Sequence, residues 1–95
     1  MPSHKFLMHN SGDHVGVAVV DIQEGEEVYG VILADDSSTD VIVARDNIPL
    51  GHKIALRDLS NGSEIIEYSV PVGVVTQNVY VGDYVHTHNF KTARW

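Results

Sequence analysis

The chain has 95 residues, 43% of them hydrophobic, with 13 acidic side chains against 6 lysine or arginine, giving a formal net charge of −7. It has no cysteine, which excludes disulfides, thiolate metal sites, iron–sulfur clusters and thiol catalysis. So acidic a surface has no basic stripe for a nucleic-acid backbone, and the short apolar run after Met1-Pro2-Ser3-His4-Lys5 is neither a signal peptide nor a membrane span. The expectation is a soluble, cytoplasmic, single-domain chain over 1–95, with its core at about 12–89 and a short tail at 90–95.

In chain order, β-branched and aromatic residues predict short strands near 5–9, 15–20, 28–33, 40–45, 52–58, 64–68, 73–77 and 84–88. Asp35-Asp36-Ser37-Ser38 and Ser60-Asn61-Gly62-Ser63 read as turns. The acidic stretch at 35–40 lacks the spacing and terminal glutamate of a calcium loop, so a solvated turn is expected there. Helix has little room: Pro49 and Pro71 sit in turn motifs, and a single helical turn at 46–50 is the one place left for it. The fold class is all-β.

A motif of an apolar residue, two variable residues, glycine, two more and another apolar residue recurs five times, at Gly25, Gly51, Gly62, Gly73 and Gly82. Glycine there supplies a positive φ or a tight bend between extended segments. The fourth copy, ending in Thr76, is weaker. The residue after glycine is Glu26, His52, Ser63, Val74 or Asp83, so His52, followed by Lys53, stands out by internal comparison. Imidazole can act as acid, base or ligand near neutral pH, and the lysine adds a point charge for an anion.

A second cluster follows in Tyr84-Val85-His86-Thr87-His88-Asn89-Phe90-Lys91. On a strand at 84–88, alternation would put His86 and His88 on one face about 7 Å apart, close enough to meet one metal ion or one anion. With His52, three imidazoles could complete a metal site, and the same three are candidate acid or base groups. Lys53 is a further catalytic candidate, Lys53 and Lys91 are candidate anion-binding cations, and Asn89 is a candidate hydrogen-bond partner for carboxylate, hydroxyl or sulfonate oxygens. His14, at a strand entrance, is a further substrate-binding candidate. A non-catalytic domain that binds anions or supports assembly is the alternative, and in it these side chains would point apart.

Three blocks, Asp13-His14-Val15-Gly16-Val17-Ala18-Val19, Asp46-Asn47-Ile48-Pro49-Leu50-Gly51-His52-Lys53-Ile54-Ala55-Leu56 and Gly82-Asp83-Tyr84-Val85-His86-Thr87-His88-Asn89-Phe90-Lys91-Thr92, resemble the SAF-type domain of the altronate and galactarate dehydratase family. The resemblance covers nearly the whole chain. It implies a β-clip fold of bent strands around a small core, and a lyase acting on hydroxy-carboxylates with a divalent metal, Fe2+ in this family. The dehydratases carry a large catalytic region after this domain. The ending Lys91-Thr92-Ala93-Arg94-Trp95 looks more like the small subunit of a two-subunit relative that splits (2R)-sulfolactate into pyruvate and bisulfite, for which a large catalytic subunit is the implied partner. The small subunit of a split sugar-acid dehydratase is the other possibility.

Overall fold

The computed structural model describes Ser3–Thr92, and among these residues it contains strands and turns but no helix. Among the described residues no helix is long and apolar enough to cross a membrane. The largest sheet has six strands in the order β10 (Tyr84–Val85), β7 (Lys53–Ala55), β2 (Val15–Ala18), β1 (Phe6–Met8), β4 (Gly30–Ile32) and β5 (Ser37–Ser38). All its pairs are antiparallel except β1 with β4. A second sheet runs β11 (Phe90–Thr92), β9 (Val70–Val75), β8 (Glu64–Glu67), and a ribbon pairs β3 (Glu27–Val28) with β6 (Ile42–Val43). The all-β class is as the sequence implied, and the three small sheets are consistent with a β-clip.

Alternation along the strands feeds two cores. Phe6, Ala18, Ile22, Val28, Ala44, Ile48 and Ile54 form one, and Val15, Ala55, Ile65, Val75, Val79 and Val85 form the other. Consecutive residues Ile54 and Ala55 of β7 therefore serve different clusters, as the period-two side-chain direction of a strand requires. Phe6 is fully buried, and β11 extends the second sheet, so packed structure continues on both sides of the 12–89 span.

Four of the five glycine motifs are one repeated turn. At Gly25, Gly51, Gly62 and Gly82 φ lies between 85° and 93°. In each, the residue after glycine donates its backbone N–H to the carbonyl three residues earlier: Glu26 to Gln23, His52 to Pro49, Ser63 to Ser60 and Asp83 to Tyr80. The turns are joined in pairs. Ile22 and Ile48 exchange backbone hydrogen bonds, and so do Leu59 and Val79. Each pair is locked by reciprocal side-chain acceptors: Asp21 takes the N–H of Leu50 and Asn47 that of Glu24, while Asp58 takes that of Val81 and Asn78 that of Asn61. These clamps were legible only as acidic or amide residues preceding an apolar one.

The fifth copy is different. Gly73 is buried within β9, where an added Cβ would sit 2.2 Å from the Lys91 carbonyl oxygen and 2.5 Å from the Phe90 ring. Its role is close approach of β11, not a turn. Pro71 also lies inside β9 rather than in a turn, paired with Ile66 at a register shift in β8. Among the described residues β11 pairs with Gly73 to Val75. The expected helical turn at 46–50 is absent, because this segment is drawn out into the Ile48 bridge. Ser37 and Ser38, expected in a turn, form the return strand β5.

Candidate functional site

The strand predicted over 84–88 ends at Val85. His86 to Asn89 is instead a turn, closed by the Asn89 N–H donating to the His86 carbonyl, that carries the chain from β10 into β11. Asn89 is 2% exposed and builds this turn: its Oδ1 accepts the His86 N–H at 2.9 Å and its Nδ2 donates to the Tyr84 carbonyl at 2.8 Å. Its amide is thus committed to the backbone that presents His86 and His88, both of which are exposed.

β10 pairs with β7 so that Tyr84 lies opposite Ile54 and Val85 opposite Lys53. This register brings the two sequence clusters together at one sheet edge. On one face, the His52 and His86 rings have centroids 5.2 Å apart and Tyr84 stacks on His86 at 5.5 Å with 8° between planes. The Tyr84 hydroxyl lies 2.7 Å from His52 Nδ1. His88 meets the Tyr84 ring at 5.6 Å, and no ring contact joins it to His52 or His86. Tyr84 is therefore the hub of the cluster, although the sequence reading gave it no role. Its position two residues before His86, with a phenol able to span a half-buried site, was the signal available.

Lys53 points from the opposite face of β7. Together with Val85, His86, Phe90 and Lys91 it lines an open groove of about 610 Å³. Its Nζ lies 3.9 Å from Glu67 Oε1, a long and partly exposed pairing that leaves donors free for a ligand. His86 belongs to both arrangements, so the imidazole array and the ammonium groove share a border. A separate cavity of about 320 Å³ between Phe6, Leu56 and Arg57 contains none of these side chains.

As a metal centre the set is incomplete. Among the described residues no three His, Asp or Glu side chains gather to hold an ion. His52 and His86 meet each other, while His88 joins them only through Tyr84.

His14 is placed elsewhere. The register Val17 to Lys53 and Val15 to Ala55 carries it past Ala55, roughly 10 Å along the ladder from Lys53. There its Nδ1 accepts the Ile66 N–H at 3.1 Å, a bond that holds β8 against β2. The neighbouring Asp13 was missed as a structural group. It is 1% exposed and accepts backbone N–H groups from Asn10, Tyr68 and Ser69 at 3.1–3.2 Å, securing a hairpin tip whose Tyr68 and Ser69 both have positive φ.

Residues 4–93 match the altronate/galactarate dehydratase SAF domain. The chain belongs to this family. Over 91 residues this SAF domain is 42% identical to the (2R)-sulfolactate sulfo-lyase subunit alpha of Chromohalobacter salexigens, covering 95% of this chain and 96% of that one. The corresponding alpha subunit of Paracoccus pantotrophus is 41% identical over 64 residues, 67% of this SAF domain and 96% of the relative. The altronate dehydratase of Bacillus subtilis is 36% identical over 89 residues, which are 92% of this chain but 16% of that enzyme.

Proposed function

We propose that this SAF domain is the small subunit of a (2R)-sulfolactate sulfo-lyase, which converts 3-sulfolactate to pyruvate and bisulfite with a large catalytic subunit as its partner. The observation that carries this reading is the match at 42% identity over 96% of the length of a sulfo-lyase alpha subunit. The site chemistry agrees with it. The substrate is a dianion, and the groove bordered by β7, β10 and β11 offers two ammonium groups, Lys53 and Lys91, on a chain with a formal net charge of −7. The reaction removes the proton next to the carboxylate and breaks the neighbouring carbon–sulfur bond, whose electron pair leaves with sulfur as bisulfite. The resulting enol of pyruvate then tautomerises.

Within this scheme Lys53 and Lys91 hold the carboxylate and sulfonate ends. His86, at the border of groove and imidazole array, is positioned to hold or move a proton at the reacting carbon or the hydroxyl. Fe2+ or another divalent ion belongs to the proposal as a Lewis acid for the carboxylate and hydroxyl. The described residues do not make a complete set of ligands for it, so the large subunit would supply the remainder. The location proposed is cytoplasmic.

The test is to combine the chain with its large partner under anaerobic, iron-replete conditions. Bisulfite release from sulfolactate is compared with keto-acid formation from altronate and galactarate, and the chain alone is expected to be inactive. Preferential dehydration of a sugar acid would reject the sulfo-lyase and leave a split dehydratase, while turnover by the chain alone would refute its subunit role.

A further inference from the structure

Among the four equivalent turns, two cap themselves through the residue after glycine. Glu26 accepts the N–H of Gln23 with its carboxylate, and Asp83 accepts that of Tyr80. His52 stands at the same position and does not do this. Its Nδ1 is turned to the Tyr84 hydroxyl at 2.7 Å, across the β7–β10 ladder. Tyr84 is itself held from several sides: its N–H donates to Asp46 Oδ2, its carbonyl accepts from buried Asn89, and its ring packs against the first core and stacks on His86.

A phenol is a good hydrogen-bond donor and a poor acceptor, whereas the bare nitrogen of neutral imidazole is a good acceptor. The favoured arrangement has the Tyr84 O–H donating to Nδ1. Neutral His52 must then carry its proton on Nε2, since one ring nitrogen accepts and the other donates. An Nε2 that bears a proton is not a metal ligand, because ligation needs that lone pair. It is instead a donor suited to an anionic oxygen.

We propose that Tyr84 is a positioning residue which fixes His52 in the Nε2–H tautomer, so that beside His86, at the border of the groove, the ring offers a hydrogen-bond donor to an anionic oxygen and not a lone pair to a metal ion. The second half of this statement rests on the sulfo-lyase reading; the tautomer does not. It separates His52 from His86 and His88, which share its residue type but have no such partner on the ring nitrogens among the described residues.

The experiment is long-range 1H–15N correlation of the imidazole nitrogens in the 15N-labelled full chain, at a pH where the rings are neutral, for wild type and Tyr84→Phe. Wild-type His52 should show an unprotonated Nδ1 and a protonated Nε2, and Tyr84→Phe should move both shifts toward the mixture seen for an unrestrained imidazole. A protonated Nδ1 in wild type, or a His52 spectrum unchanged by the substitution, would overturn the proposal. If Tyr84→Phe does not fold, the wild-type spectrum alone decides. In the assembled enzyme, losing one neutral hydrogen bond should lower kcat/KM for sulfolactate about 3–10-fold without loss of folded protein. An inactive wild-type assembly with the expected tautomer would reject the sulfo-lyase reading and keep the tautomer.

Discussion

The Tyr84 hydroxyl lies 2.7 Å from Nδ1 of His52, although the two residues are 32 positions apart. That contact welds the Gly51-His52-Lys53 turn to the segment that carries His86 and His88. It depends on one register, Tyr84 opposite Ile54, and slipping β10 by one residue would point Tyr84 to the other face.

His52→Ala and His86→Ala in the assembled enzyme should each lower turnover by about 10²-fold or more, the usual scale for a group that handles a proton or an oxyanion. His14→Ala should instead act on stability, because its ring accepts the Ile66 N–H away from the cluster. Steady-state kinetics beside thermal denaturation separate the two. Normal turnover in both His52 and His86 variants would remove the imidazole array from the mechanism.

Asp13→Ala should be the most damaging single truncation outside the apolar cores. It leaves three part-buried backbone N–H groups without their acceptor. A loss of about 2–4 kcal/mol is expected from unsatisfied donors to a charged group, or a fall of at least about 8 °C in Tm for a domain this size. An unchanged urea midpoint would contradict the assignment.

Gly73→Ala should couple stability to activity. The new methyl would meet the Lys91 carbonyl oxygen and the Phe90 ring, so β11 must move away from β9 at a cost of about 2–3 kcal/mol. Lys91 rides on β11, so KM for the dianion should rise as well. Amide exchange across 90–92 that stays as slow as in wild type would count against this.

Lys53→Met and Lys91→Met should raise KM more than they lower kcat, and each should flatten the dependence of kcat/KM on salt. Kinetics at several ionic strengths would check both, and an unaltered salt dependence would argue against charge attraction in the groove.

The acidic turn gives a pH prediction. The Asp35 carboxylate accepts from the Ser37 hydroxyl at 2.6 Å and from the Ser37 N–H at 3.0 Å, which together hold its pKa below the ordinary 3.8. A carboxylate with a lowered folded pKa contributes stability above its unfolded pKa and loses it as pH falls through the folded value. Asp35→Ala should therefore differ from wild type less at acid pH, below about 3.8, than near neutrality, and the difference should be small throughout because the side chain is fully exposed. A melting-temperature gap that widens on acidification would invert the sign.

Local chemistry determined what was legible from residues alone. β-branched composition and spaced glycines determined the all-β class, and four positive-φ turns followed from residues that need no partner beyond their neighbours. The His-Lys and His-X-His blocks marked the site for the same reason: residue type is visible without a fold. Gly73 and Pro71 were misplaced because nothing local separates a glycine that turns from one that lets β11 approach, or a proline in a turn from one at a register shift within a strand.

Tertiary structure decided what depends on pairing between distant segments. It set Asn89 beneath a turn, ended β10 at Val85, sent His14 to β8, and put Lys53 and His52 on opposite faces with His86 between them. The role of Tyr84 belongs here too. A phenol becomes a partner for an imidazole only when the ladder between β7 and β10 brings them within hydrogen-bond reach, and register is a property of the sheet and not of either strand.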